Sequence, residues 1–158
     1  MRTRSLAQGA LIGALYVLIS LAAAPFGSGL IQVRLSEALC VLPWFTPAAI
    51  PGLFLGCLLA NLLTGAVVYD VIFGSLATGL AAFCTYLLSR KGCSKWLAPL
   101  PALAINALVV GYLLAYVYQV GVPMVLCALS VAAGQAAACY GLGMPLLGFL
   151  EKQAGLFG

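Results

Sequence analysis

The chain alternates long apolar stretches with short breaks. The apolar stretches cover approximately residues 6–24, 47–64, 70–89, 98–118 and 123–148. Each stretch approaches the roughly 17–25 residues that a helix needs to cross a bilayer. The breaks between them are rich in glycine and proline or carry basic residues, which is typical of turns between helices. The pattern therefore predicts an all-α membrane protein.

The composition supports the same class of protein. Hydrophobic residues make up 65% of the 158 residues and charged residues only 6%, whereas soluble domains carry about 25% charged residues. The net charge of +4 comes from basic residues at the ends of the predicted helices. That distribution is typical of membrane topology and does not favour nucleic-acid binding. We expect a single integral membrane domain over residues 1–158.

A shorter apolar segment, residues 34–46, decides the predicted topology. Arg2 and Arg4 place the N-terminus in the cytoplasm by the positive-inside rule. If residues 34–46 lay on the membrane surface, the basic residues between 90 and 95 would fall on the outside, against that rule. If the segment crosses as a short helix buried in protein, they return to the cytoplasm. We therefore predict a six-helix bundle with a short second helix and both termini cytoplasmic.

Polar residues lie at similar depths in or beside the predicted helices. Ionisable groups cost roughly 2.5–3.5 kcal/mol at the centre of a membrane helix and usually face the bundle interior or a wet cavity. In the six-helix arrangement, the polar residues of the outer half and the middle are Gln32, Arg34, Glu37, Asn61, Asp70, Asn106 and Gln135, and Tyr112 adds a planar surface. A few convergent polar groups in a cavity are typical of a site for a small ligand. We predict such a site at the outer face.

Three of these residues have a second interpretation. Arg34 and Glu37 are three residues apart, so they share a helical face and can form an ion pair that anchors the short helix. Asp70 lies at the start of a predicted helix, where a carboxylate caps free N–H groups. Both interpretations stay open beside ligand binding.

Small residues form ridges on the first helix. Gly9 and Gly13, and likewise Ala10 and Ala14, are four residues apart, and Gly52 and Gly56 repeat the spacing. Such ridges let helix backbones approach closely. The ridge of helix 1 either packs against another helix of this chain or binds a partner protein.

The chain lacks the residues that several chemistries need. It contains no G-x-x-x-x-G-K-[ST] loop, so it does not hydrolyse nucleotides by itself. It has no histidine and three acidic residues, and none of its six cysteines forms a C-x-x-C pair. This argues against a zinc site or a disulfide framework, and the cysteines are predicted to be small buried apolar residues. We expect no enzyme activity, no metal and no cofactor.

The stretch IQVRLSEALCVLPWFTPAAIPGLFLGCLLANLLTG, followed by DVIFGSLATGLAA, resembles the queuosine-precursor transporter (QueT) family. The resemblance is densest over residues 29–82. It implies the six-helix fold of a substrate-binding S component of an energy-coupling factor (ECF) transporter in a prokaryotic plasma membrane. It also implies three partners, a transmembrane T component and two cytoplasmic ATPase subunits. The implied substrate is a 7-deazaguanine, such as 7-aminomethyl-7-deazaguanine or queuine.

The resemblance also implies roles for particular residues. S components carry an A-x-x-x-A-type motif on helix 1 that meets the T component, and Ala10 and Ala14 match it, with Gly9 and Gly13 beside them. By donor–acceptor matching, Glu37 is expected to bind the guanine-like edge and Asp70 to lie near the ligand amine. The other polar residues complete the pocket. The alternative function is a self-contained facilitator or gradient-driven transporter of a small polar molecule.

Overall fold

The computed structural model describes residues 2–26 and 34–153, and this part of the chain is helical with no strands. The helices are α1 (Arg2–Ala23), a short 3₁₀ helix (Leu35–Trp44), α2 (Ala49–Leu63), α3 (Ser75–Arg90), α4 (Leu100–Tyr116), α5 (Met124–Ala138) and α6 (Met144–Lys152). A π turn, Asp70–Gly74, leads into α3, and a second π turn, Cys139–Gly143, joins α5 to α6. Single 3₁₀ turns follow α1 (Ala24–Phe26) and precede α4 (Lys95–Leu97). The predicted all-α fold is confirmed.

Each of the six predicted segments corresponds to a helical element. Within the described ranges, four helices are long and apolar enough to cross a membrane: Thr3–Ala23, Asp70–Arg90, Lys95–Tyr116 and Met124–Lys152. The last of these is 29 residues long, because α5 and α6 form one rod through the π turn. Leu35–Trp44 and Ala49–Leu63 are apolar but shorter. A membrane protein is therefore supported, and crossing by all six elements stays a prediction.

The short second helix is a 3₁₀ helix, which the sequence did not predict. Its 10 residues include Pro43, which lacks the N–H that a helix interior uses. A 3₁₀ helix rises about 2.0 Å per residue, so these residues extend over roughly 20 Å, farther than the same residues in an α-helix. All residues from Ser36 to Pro43 are buried. The segment is thus a protein-covered rod inside the bundle, as expected of a short buried helix.

The bundle exposes large apolar side chains and buries polar ones. Leu11, Leu18 and Val125 are 62%, 63% and 69% exposed, whereas Glu37 and Thr78 are completely buried. A water-soluble domain would have the opposite distribution, because burying a polar group costs free energy unless it is hydrogen-bonded. Lipid tails cover the exposed leucines and valines without cost, so this surface fits a bilayer.

Helices α1 and α2 meet through their glycines. A Cβ atom on Gly52 would lie 2.5 Å from the carbonyl oxygen of Gly9, and one on Gly56 would lie 2.9 Å from that of Gly13. The two backbones are therefore in direct contact, and the glycine ridge of helix 1 packs within the chain. Ala10 and Ala14, on the neighbouring face of α1, are exposed. Of the four residues predicted to bind a partner, the two alanines are exposed, whereas Gly9 is buried and Gly13 is partly buried.

The two ends of the bundle differ in charge. Arg4 lies in the first turn of α1, Arg90 ends α3 and Lys152 ends α6. Near the same end, Lys95 forms an ion pair of 2.8 Å with Glu151. We call this the basic end. The opposite end is reached by the C-terminus of α1, the start of the Asp70 turn and the C-terminus of α4.

The glycine contact gives a stability prediction. We expect Gly52→Ala to lower the free energy of unfolding by about 1–3 kcal/mol, because the new methyl group would collide with the Gly9 backbone. Gly148→Ala in α6 is the matched control, since nothing lies within 4 Å of its Cβ position, and alanine has the higher helix propensity. Denaturant unfolding of both variants in detergent micelles is the measurement. Equal stability of the two variants would contradict the proposed close contact.

Candidate functional site

A buried carboxylate connects four elements of the bundle. The Glu37 side chain, in the first turn of the 3₁₀ helix, accepts hydrogen bonds from Tyr16 Oη of α1 (2.6 Å) and Thr78 Oγ1 of α3 (3.2 Å) at its Oε1 atom. Its Oε2 atom accepts from Cys40 Sγ (2.7 Å) and from Asn106 Nδ2 of α4 (3.2 Å). An ionised carboxylate has about four acceptor sites. The four donors therefore satisfy it completely.

The shell around this carboxylate contains one unpaired acceptor. Asn106 is 1% exposed, and its Oδ1 atom has no hydrogen-bond partner among the described residues, while its Nδ2 atom donates to Glu37. Gln135 lies next to the shell, where its Oε1 atom accepts from Cys139 Sγ at 3.3 Å. Cys139 is also 3.4 Å from the carbonyl oxygen of Glu37. The polar residues predicted in the middle of α4 and α5 thus do converge, around Glu37.

An ion pair lies closer to the end of the bundle opposite the basic end. Arg34 Nη2 is 3.0 Å from Asp70 Oδ2 and 3.3 Å from Oδ1. The hydroxyl of Tyr118, just beyond α4, donates to Asp70 Oδ2 at 3.1 Å. Asn61 Nδ2 donates to the backbone carbonyl of Asp70 at 3.2 Å. Gly74 leaves room for the carboxylate, because a Cβ there would lie 2.5 Å from Asp70 Oδ1.

Tyr118 donates a hydrogen bond to this ion pair from a hydroxyl that keeps its proton. Its partial burial, with the Asp70 carboxylate adding to the effect, raises the pKa of the phenol above its usual value. A raised phenol pKa means that the hydroxyl stays protonated at neutral pH. It therefore keeps donating to Asp70.

These groups surround a pocket of about 340 Å³, which we call the polar pocket. Its polar lining residues are Tyr16, Ser20, Arg34, Ser36, Asn61, Thr64, Asp70 and Tyr118. Ligand pockets usually have volumes of roughly 300–1,000 Å³, so this one fits a small molecule. It lies at the end of the bundle opposite the basic end, which we call the pocket end.

Tyr16 separates the polar pocket from Glu37. The tyrosine lines the pocket and donates its hydroxyl proton to Glu37. Glu37 itself is 0% exposed and is not part of the lining. Tyr16 therefore connects the lining of the pocket with the buried carboxylate.

The structure assigns the predicted site residues to three places. Arg34, Asn61 and Asp70 line the polar pocket, whereas Glu37, Asn106 and Gln135 are buried beneath it. Tyr112 is 52% exposed and lies in an apolar surface groove with Tyr69 and Phe73, away from the pocket. Gln32 lies outside the described residues.

Two interpretations of the charged residues are corrected. The predicted ion pair between Arg34 and Glu37 does not form, because Arg34 is an extended residue before the first helical turn (φ −83°, ψ 90°). Its side chain leaves the helical face and pairs with Asp70 instead. Asp70 lies in the first turn of its element, but its carboxylate accepts from Arg34 and Tyr118, and among the described residues no backbone N–H is capped by it.

Sequence reasoning missed several residues of the site. Tyr16 and Ser20 are four apart on α1, and Thr78 lies eight residues after Asp70, so each pair shares a helical face. This spacing is the signal that would have found them. The cysteines were predicted to be small buried apolar residues, but Cys40 donates to Glu37, and Cys57 Sγ lies 3.5 Å from Thr78 Oγ1. Nothing in the sequence pattern indicates that these two cysteines belong to the polar cluster.

Comparison with known proteins gives one result that bears on function. The family model described as QueT transporter matches residues 6–152, which is nearly the whole chain. No curated protein and no solved structure matches the chain.

The Arg34–Asp70 pair gives a testable energetic prediction. Either single variant, Arg34→Gln or Asp70→Asn, leaves a largely buried charge unpaired. The losses in unfolding free energy of the two single variants should therefore sum to more than the loss in the double variant. We expect a coupling energy of about 1–3 kcal/mol from a double-mutant cycle on unfolding in detergent micelles.

The exposed Lys95–Glu151 pair is the control, since its side chains are 47% and 37% exposed. Its cycle, with Lys95→Gln and Glu151→Gln, should give less than about 1 kcal/mol. Equal coupling energies for the two pairs would show that the Arg34–Asp70 pair is no more than a surface contact.

Proposed function

The chain belongs to the QueT transporter family, and from that premise we propose that it is the substrate-binding S component of an ATP-driven ECF importer. The proposed substrate is a queuosine precursor of the 7-deazaguanine class. The observation that carries the proposal is the polar pocket, which concentrates an ion pair, an amide and hydroxyl groups at one end of a bundle with few charged residues.

The lining of the polar pocket matches a guanine-like edge. Such an edge presents two adjacent N–H donors and one carbonyl acceptor. Asp70 offers carboxylate oxygens, and Arg34 offers guanidinium donors directly beside them. We therefore propose that this pair binds the edge, which revises the expectation that Glu37 does so. Glu37 is covered by Tyr16, so a direct contact would require the tyrosine to move.

The charges of the chain support the proposed orientation. The basic end carries Arg4, Arg90, Lys95 and Lys152, and positively charged segments favour the cytoplasmic side. The polar pocket would then open to the outside, where an importer takes up its substrate. The chain has no nucleotide-binding loop of its own. In this proposal, the two ATPase subunits supply the energy and the T component connects them to the chain.

A binding titration tests the substrate. Purified protein in detergent should bind 7-aminomethyl-7-deazaguanine saturably, and adenine should not compete because it lacks the guanine-like edge. Asp70→Asn should weaken binding at least tenfold, since the amide replaces one of the two acceptor oxygens with an NH2 donor and cannot accept two adjacent N–H groups side by side. Glu151→Gln is the same kind of change at the basic end and should leave the affinity unchanged. Absence of saturable binding by the wild-type protein would refute the proposed substrate.

A copurification experiment tests the partners. Replacing the exposed Ala10 and Ala14 with leucine should prevent copurification with a T component and two ATPases, yet leave ligand binding intact, because neither residue lines the polar pocket and both are exposed on the outer side of α1. Ala133→Leu with Ala137→Leu is the matched control, since this pair has the same spacing and is also exposed, on α5. Complexes that survive the helix 1 replacements would remove the proposed docking surface.

Uptake by this chain alone would support the alternative function, a self-contained transporter. Vesicles that contain only this protein should not accumulate the ligand if ATPase partners drive transport. Accumulation under an ion gradient, without partners, would instead support a self-contained transporter.

A further inference from the structure

The acidic residues of the chain differ in how their charge is balanced. The chain has three of them. Asp70 is paired with Arg34, and Glu151 is paired with Lys95. Glu37 has no basic partner within 4.0 Å among the described residues, and the four groups that donate to it are neutral.

The pocket end therefore carries an excess negative charge. The polar pocket and the shell beneath it contain the guanidinium of Arg34 and the carboxylates of Glu37 and Asp70, which sum to one negative charge. The hydrogen bonds to Glu37 satisfy its lone pairs but add no positive charge. An uncompensated charge in a buried site is costly, and an opposite charge brought close to it relieves that cost.

Tyr16 gives a ligand access to this charge without opening the shell. The Tyr16 hydroxyl donates its proton to Glu37 Oε1 at 2.6 Å, and a phenol oxygen can accept a hydrogen bond while it donates one. The tyrosine also lines the polar pocket. An ammonium group that donates to the Tyr16 oxygen would be separated from the Glu37 carboxylate only by the phenol hydroxyl.

We propose that the polar pocket selects a monocationic ligand over a neutral ligand of the same shape, and that the selecting charge is the one on Glu37. This inference rests on the proposed function and deepens it. Within the 7-deazaguanine class, it assigns preference to members with an amine on the side arm. It also reverses the expected roles of the two carboxylates, because the charge of Asp70 is already neutralised by Arg34.

The test compares two ligands that differ in charge. The probes are 7-aminomethyl-7-deazaguanine, whose arm is cationic at neutral pH, and 7-hydroxymethyl-7-deazaguanine, whose arm has the same number of heavy atoms but is neutral. Calorimetric titration of the purified wild-type protein should give at least tenfold tighter binding of the amine, equivalent to about 1.4 kcal/mol. Equal affinities would overturn the inference and leave the proposed substrate class standing. Binding of neither probe would refute the proposed function itself.

Two variants then locate the selecting charge. Glu37→Gln removes it and should reduce the preference for the amine to less than threefold. The new amide has a partner available, because a rotated Asn106 side chain can accept its N–H at the Oδ1 atom that has no partner in the wild-type protein. Unfolding in detergent micelles checks that this variant is folded.

The second variant is Arg34→Gln combined with Asp70→Asn. It removes both members of the ion pair and leaves the summed charge of the site unchanged. Both ligands should bind more weakly to it, but the amine should keep at least a tenfold advantage. If this double variant loses the preference while Glu37→Gln keeps it, Asp70 is the partner of the amine and the inference is wrong.

Discussion

The rest of this structure depends on one buried carboxylate, Glu37, which has no cationic partner among the described residues and lies inside an apolar bundle. Glu37 is tolerated there because Tyr16, Cys40, Thr78 and Asn106 donate to all of its acceptor sites. These donors come from α1, the 3₁₀ helix, α3 and α4. Removing any of these elements would leave the carboxylate short of a donor, at a cost of several kcal/mol in such a medium. The carboxylate therefore holds the helices in one mutual arrangement.

The hydrogen bonds that Glu37 requires explain the close packing of helices that lie away from it. A phenol and two short side chains reach Glu37 only if the helices that carry them approach closely. On α1, the approach is made possible by Gly9 and Gly13, which contact the backbone of α2. The same tight packing leaves no space for a ligand beside Glu37. The open volume lies one layer farther out, between Tyr16 and the Arg34–Asp70 pair.

Hydrophobic periodicity and charge were sufficient to predict the helices, and three of the polar residues singled out in the sequence, Arg34, Asn61 and Asp70, line the polar pocket. The partners of those residues were not predictable, because they depend on contacts between distant segments: Glu37 binds Asn106 across 69 positions, and Arg34 binds Asp70 across 36. The ion pair was assigned wrongly for a local reason. Spacing alone placed Arg34 on the helical face, whereas its backbone is extended and its side chain turns toward the next helix.

The separation of the two carboxylates into layers gives each a different kind of influence on a ligand. Asp70 and Arg34 line the pocket, so they act through direct hydrogen bonds, whose strength depends on precise geometry. Glu37 acts through its field, which falls off slowly with distance in a medium of low dielectric constant and needs no contact. A site built in this way can recognise the flat edge of a ligand by shape and its side arm by charge. The second function requires the carboxylate to stay both buried and uncompensated, which is the arrangement that the four neutral donors maintain.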